Sequence, residues 1–235
     1  MLLYIIRHGD PDYANDCLTE KGKKQAEALG KRLSIQGFDE IYSSPMGRAR
    51  QTAEPTCRLL GIDAVIENWM SEDMAWNDFS VVNEDGIRGW SFHCQNTELL
   101  KDFNSSNAAW YDLDVFSGCS KAKSGYNRIS QASDDYLRRL GYMREGNIYK
   151  ILNPSEKRVA AFCHQGFGTT WLSHVLSVPP HIFWAGFDIT HSGISILEFK
   201  NNPDGYTAPK CLCMSDTSHI YKENLPLQYN NTIDI

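Results

Sequence analysis

The sequence predicts an α/β fold, a three-layer αβα sandwich around a mostly parallel central sheet with an inserted lid segment. Three observations carry that prediction. Residues 2–6 and 159–163 are short apolar runs without alternation, the pattern of strands buried on both faces of a parallel sheet. Each run ends in polar residues and a glycine, Arg7-His8-Gly9 and His164-Gln165-Gly166, and ligands collect at the carboxyl edge of such a sheet. At 235 residues the chain fits one α/β domain with an elaborated insert and a sizeable core.

The elements follow in order. Residues 10–18, with Pro11, Asn15 and Asp16, form a loop. Thr19 N-caps a helix to about residue 35, in which Ala26, Leu29 and Leu33 make one apolar stripe. Its lysines, Lys21, Lys23, Lys24 and Lys31, form a solvated face with Arg32. Residues 38–43 read as a second strand. Ser44-Pro45 supplies an N-cap and a proline at the first helical position, with Arg48 in the opening turns. Pro55 is expected to kink or divide that helix and Gly61 to close it. Residues 62–66 are a further strand candidate, and 70–73 a loop.

The insert, residues 77–124, shows little periodicity but holds Phe79, Trp90, Phe92, Phe103, Trp110, Tyr111 and Phe116. A structureless loop of that length is unusual, so short helices are expected within it. It reads either as a lid over the sheet edge or as a satellite packing unit. A helix from Ser124 to about Gly141 leads to the 159–163 strand. A helix opened by Gly168, Thr169 and Thr170 is stopped by Pro179-Pro180. A late strand at 194–199, a polar stretch with a turn at Pro203-Asp204-Gly205, and a loosely held tail over the last dozen residues finish the chain. No repeat or linker divides it, so residues 1–235 read as a single domain.

Composition excludes several function classes. A net charge of −6 without a basic stripe argues against general nucleic-acid binding. The N-terminal run is too short for a signal peptide and nothing approaches a membrane span, so a cytoplasmic protein without a membrane partner is expected. The seven cysteines then read as reduced thiols. Cys211-x-Cys213 lacks a nearby second ligand pair, which weighs against zinc.

If the strands are parallel, Arg7-His8-Gly9, Arg48 and His164-Gln165-Gly166 converge on one edge. Helices starting near Ser44 and Gly168 would aim their N-termini there, adding amide donors and positive dipole ends. Two arginines, two histidines and two helix N-termini make a pocket for a dianion, phosphate first among candidates. Arginine offers phosphate a planar fork of donors. His8 can act there as a nucleophile or a base near neutral pH. Gly9 lets the chain turn sharply and approach a ligand.

These motifs resemble those of the histidine phosphatase superfamily, the branched group containing cofactor-dependent phosphoglycerate mutases and broad-specificity phosphatases. Arg7-His8-Gly9 matches its signature, Leu18-Thr19-Glu20-Lys21-Gly22 its first helix start, Ser43-Ser44-Pro45-Met46-Gly47-Arg48-Ala49-Arg50-Gln51-Thr52-Ala53 its second block, and Cys163-His164-Gln165-Gly166 its late block. The resemblance implies a small-molecule phosphomonoester hydrolase that needs no metal or cofactor. In it His8 attacks phosphorus, and Arg7, Arg48 and His164 stabilise the transferring group. Gly9, Gln165, Gly166 and Asn15 contribute to binding, although Asn15 lies one place late and Asp10 stands where glutamate is common. The family's acid falls at Glu72 in Met70-Ser71-Glu72, but Asp73-Met74-Ala75-Trp76 lacks the usual glycine, which leaves Asp73 as a rival. His191 occupies a position where the family often places another contributor; here it reads as a loop histidine with no ligand role.

The alternatives are a phosphoglycerate mutase-type phosphotransferase, whose basic, aromatic stretch after the acid is missing here, and a non-catalytic phospho-ligand binder, which needs no nucleophile. Asp78, Glu84, Asp85, Glu98, Asp102, Asp112 and Asp114 make the insert acidic. As a lid it would favour monophosphates with a modest organic body over polyphosphorylated ligands.

Overall fold

The structure, a computed structural model, describes residues 1–82, 85–93, 96–101 and 109–229. The chain opens with β1 (Leu2–Arg7), and β2 (Pro11–Asp12) and β3 (Cys17–Leu18) pair across the following loop. α1 (Glu20–Gln36) begins where the Thr19 hydroxyl accepts the Gly22 N–H at 3.1 Å, the N-cap expected from the sequence. Then come β4 (Glu40–Ser43), α2 (Gly47–Leu60), the short β5 (Val65–Ile66) and α3 (Glu72–Phe79). The insert continues with the hairpin of β6 (Ser80–Val82) and β7 (Arg88–Trp90), α4 (Asn96–Lys101), and single turns at Trp110–Asp112 and Asp114–Phe116. After α5 (Ala122–Arg139) lie the hairpin of β8 (Tyr142–Glu145) and β9 (Ile148–Ile151), β10 (Arg158–Cys163), α6 (Gln165–Val175) and α7 (Pro180–Gly186). β11 (Ile194–Glu198), β12 (Tyr206–Thr207), β13 (Lys210–Asp216) and α8 (Ser218–Lys222) follow.

The central sheet has the order β13-β11-β1-β10-β4-β5. β1, β10, β4 and β5 are parallel, whereas β11 pairs antiparallel with β1, and β13 with β11. Alternate residues of β1 enter different cores. Leu3 and Ile5 pack with Phe167 and Trp171 of α6 and Ile129 of α5, while Tyr4 and Ile6 pack with Leu29 and Leu33 of α1 and Ala53 of α2. Helices on both faces make the three layers, and burial on both faces explains why the strand shows no alternation.

The described part of the insert packs against the body of the fold. Phe79, Phe92, Leu113 and Phe116 extend the α5/α6 core, with Phe92 stacked on Trp184 at 4.6 Å and Trp90 on Phe92 at 5.1 Å. Trp90 in turn lies over the carboxyl edge of the sheet: a Cβ added to Gly166 would come within 2.6 Å of its ring.

Several boundaries differ from those the sequence suggested. α2 starts at Gly47, because Met46 stays extended as its N-cap and the Ser44 hydroxyl is engaged by His164 at 2.7 Å. Pro55 does not divide α2, where it is buried against Gly30 of α1. Residues 70–73 are not all loop, since α3 begins at Glu72. α6 begins three residues before Gly168, at Gln165. Pro180 opens α7, a proline in the first turn whose missing N–H costs no bond. The polar stretch after Asn201 holds β12, β13 and α8; β13 is a half-exposed edge strand, so no apolar run announces it. The 142–151 hairpin was likewise not anticipated. Of the tail, residues 230–235 lie outside the described residues, as does Cys94; the other six cysteines are free thiols.

Two places in this framework yield predictions. Gly9 and Gly22 touch backbone to backbone: a Cβ on Gly22 would meet the Asp10 carbonyl oxygen at 2.1 Å, and one on Gly9 the Gly22 oxygen at 2.8 Å. Gly9 is not at positive φ, so close approach to α1, rather than the sharp turn expected, is what requires glycine there. Gly22→Ala should lower stability by about 1–3 kcal/mol, the usual penalty of overpacking, and an unchanged urea midpoint would refute that packing argument.

His219 of α8 is 1% exposed, with its Nε2 2.9 Å from the Ser192 hydroxyl. Burial holds its pKa down, from 6.5 to about 4, with Arg32 acting in the same direction and Asp216 opposing. Between those values the unfolded chain binds a proton that the folded chain does not, so this group's contribution is lost as pH falls through that window. The urea midpoint should drop from pH 6.5 to 4, and His219→Gln should flatten part of the slope; an identical slope in the variant would place the loss elsewhere.

Candidate active site

Strand register brings the site together. Arg7 pairs with Cys163 across β1 and β10, and Phe162 with Ser43 across β10 and β4, so His8, His164 and Ser44 leave the sheet as neighbours. The His8 and His164 rings are 5.1 Å apart. His8 Nδ1 lies 2.7 Å from the Gly9 carbonyl oxygen, which makes Nδ1 the protonated nitrogen and leaves a lone pair on Nε2. Arg48 Nε donates to that Nε2 at 3.3 Å. Burial pushes the His8 pKa well below its ordinary value, and His164, Arg7 and Arg48 act in the same direction, against the Gly9 bond. His164 is likewise lowered, by burial first and then by Arg48 and Arg7. Its Nε2 meets Ser44, and its Nδ1 is a buried atom without a hydrogen-bond partner among the described residues.

The two guanidiniums are held from opposite sides of the chain. Arg7 Nη1 donates to the Ile189 carbonyl at 2.7 Å, and Nη2 lies 2.7 Å from His191 Nε2. Burial, then Arg7, pushes the His191 pKa down to about 3, so the ring accepts from Arg7 as a neutral group. Arg48 Nη1 donates to Asp16 Oδ1 at 2.6 Å, and its guanidinium lies 5.3 Å from the Tyr13 ring centroid. The loop after Gly9 is tied down by motif side chains: Gln25 accepts from Asp10 N–H, Gln51 from Leu18 N–H and Thr52 from Gly9 N–H, at 2.7, 2.7 and 3.0 Å.

The helix N-termini do not serve as expected. Asp16 Oδ2 takes the Gly47 N–H of α2 at 2.6 Å. Glu72 takes the first amides of α6, Gly166 N–H on Oε1 and Phe167 N–H on Oε2, both at 2.9 Å. Carboxylates of the chain itself occupy the positions assigned to a ligand, because a dipole end and free amides attract the nearest anion. Burial raises the Glu72 pKa, opposed by the Phe167 and Gly166 amides and by Arg48 and Arg7.

A cleft of about 590 Å³ opens above this floor, lined by Arg7, His8, Tyr13, Asp16, Met46, Arg48, Glu72, Asp73, Trp76, Trp90 and Gln165. Both acid candidates thus reach it. Gln165 also donates to Asp188 at 2.6 Å. Gly9, Gly166 and His164 do not line the cleft; the Gly9 and Gly166 amides are spent on Thr52 and Glu72. Asn15 does not line it either: its amide bonds Asp12 at 2.8 Å and shapes the loop that presents Tyr13 and Asp16. Nor do the insert's acids form the acidic wall; Asp78 pairs with Arg128 at 2.7 Å, and Asp85, Asp112 and Asp114 are outside the lining. Glu84 and Asp102, and the Glu98 side chain, lie outside the described residues. Asp16, Glu72 and Asp73 supply the negative charge instead.

Sequence reasoning missed Tyr13, Asp16, Met46 and Trp76. For Trp76 a signal existed: four residues after Glu72, it shares that residue's helix face. Among the described residues no group of three or more His, Cys, Asp and Glu is placed to hold a metal ion, and no helix is long and apolar enough to cross a membrane.

Comparison with known proteins bears on the same residues. Residues 3–89 match the histidine phosphatase superfamily (branch 1). A Citrobacter koseri protein named probable phosphoglycerate mutase GpmB is 32% identical over 79 residues, which cover 30% of this chain and 37% of that one. Its Photorhabdus laumondii namesake is 28% identical over the same coverage. The chain thus spans little more than a third of the length of these curated relatives. Solved structures match throughout: a phosphoserine phosphatase from Entamoeba histolytica, in complex with 3-phosphoglyceric acid, has a TM-score of 0.59 at 18% identity over 93% of this chain and 98% of that one. A mycobacterial glucosyl-3-phosphoglycerate phosphatase gives 0.61 at 16% identity over 91% and 98%. Residues 3–89 thus match the histidine phosphatase superfamily by sequence, and over more than nine-tenths of its length the chain shares the fold of these solved phosphatases.

Proposed function

We propose that the protein hydrolyses small-molecule phosphomonoesters through a phosphohistidine on His8, without a metal or cofactor. The observation that carries this reading is the His8 ring, whose Nδ1 is committed to Gly9 while Nε2 keeps its lone pair between Arg48 and His164. Attack by Nε2 forms an N–P bond as the ester P–O bond breaks. Arg7, Arg48 and His164 stabilise the equatorial oxygens, where charge sits during transfer. Glu72, made more basic by burial, gives its proton to the departing oxygen and recovers one from the water that cleaves the N–P bond.

The cleft supports a hydrolase over a phosphotransferase of the kind its curated relatives are named for. Both lining arginines sit at the His8 floor, whereas the walls carry Tyr13, Trp76, Trp90 and the carboxylates Asp16 and Asp73. A second phosphate would meet like charge, while an aromatic or apolar body would find rings to pack on. Monophosphates with a modest organic group are the substrates this surface fits.

His8→Ala should abolish turnover of nitrophenyl phosphate and the acid-labile protein phosphate trapped by rapid quench in the wild type. Substantial turnover by that variant would end the covalent mechanism. Glu72→Gln should slow alkyl phosphates far more than nitrophenyl phosphate, whose leaving group departs without a proton. Equal losses would move the acid role to Asp73.

A further inference from the structure

We propose that Asp16 is a positioning residue that sets the Arg48 guanidinium for the phosphoryl group, an inference whose catalytic part rests on the reading above. Arg48 is 4% exposed and has two of its donors committed, Nε to His8 and Nη1 to Asp16. The two Nη2–H groups and the second Nη1–H are then left for a ligand in the cleft that Arg48 lines. The Asp16 carboxylate is bidentate across the start of α2: one oxygen holds the Gly47 N–H, the other holds Arg48. Side chain and helix N-terminus are thereby locked to each other through one group.

The loop is built to deliver that carboxylate. Asp12 Oδ1 accepts the Ala14 and Asn15 N–H groups at 3.1 and 3.3 Å, and the chain then reaches Asp16 at φ 46°, a left-handed conformation that aspartate tolerates better than most residues. A Cβ on Gly47 would lie 2.2 Å from the Asp16 carbonyl oxygen, so the glycine before Arg48 is what admits the loop. With Asp16 removed, the buried guanidinium loses its carboxylate partner and is free to swing, and misplacement of a transition-state donor by an ångström costs about a hundredfold in rate.

The test compares wild type, Asp16→Asn, Asp16→Ala, Arg48→Ala and the Asp16→Ala/Arg48→Ala double variant. Readouts are turnover of nitrophenyl phosphate and calorimetric binding of inorganic phosphate and vanadate. Asp16→Ala should lose about a hundredfold in kcat with a smaller change in KM, and Asp16→Asn, which keeps an oxygen acceptor, should lose less. Vanadate affinity should fall with kcat while phosphate affinity changes little. The double variant should be no worse than Arg48→Ala alone, because Asp16 acts through Arg48. Additive losses would overturn the proposal, as would tighter phosphate binding by Asp16→Ala with kcat intact, the mark of a competing carboxylate. A lowered unfolding midpoint with unchanged kcat would reduce Asp16 to a structural role and overturn it as well. If the wild type turned over no phosphomonoester, the hydrolase reading would fail, but the vanadate cycle would still decide whether Asp16 and Arg48 are coupled.

Discussion

Arg7 and Arg48 are each 4% exposed, and taking two guanidinium charges out of water is the constraint on which the surrounding structure depends. A buried ion left without partners costs several kcal/mol. Arg7 donates to the Ile189 carbonyl and meets the His191 ring, with Asp188 and Glu72 acting on its charge, whereas Arg48 donates to the Asp16 carboxylate and the His8 ring. Burial first, and the nearby cations after it, keep His8 and His164 from readily taking on a charge. The unprotonated nitrogen that a nucleophile needs is thus a consequence of the same burial that makes the pocket attractive to an anion.

Charge also explains why the helix ends are filled. Each N-terminus offers amides and a positive dipole end, and with two cations close by the local potential is strongly positive. Asp16 answers it at α2 and Glu72 at α6. The cleft therefore has its two arginines at the His8 floor and aromatic and acidic residues in its walls. Trp90, reaching in from the insert over Gly166, closes one side.

Much of the motif is architecture. Gln51 and Thr52 hold the loop after β1, Gln25 of α1 holds Asp10, and Gly9 and Gly22 permit the backbone contact between that loop and α1. These residues serve the site by fixing where Arg7 and His8 emerge, without touching the cleft.

The sequence by itself determined what is encoded within a few neighbouring residues. The unalternating runs at β1 and β10, the Thr19 cap, the apolar stripe of α1 and the polar residues at the strand ends are each readable from local chemistry, and they place Arg7, His8, Arg48 and His164 at one edge. Edge strand β13, the 142–151 hairpin and the start of α3 escaped because half-exposed or short elements leave a weak pattern. What only the tertiary structure decided is the partner of each polar group. Glu72 meets the amides of Gly166 and Phe167 across 94 and 95 residues, Asp16 meets Arg48 across 32, and Arg7 meets His191 across 184. Whether a carboxylate or a ligand occupies a helix N-terminus is settled by distance once the chain is packed, and spacing along the sequence does not contain that distance.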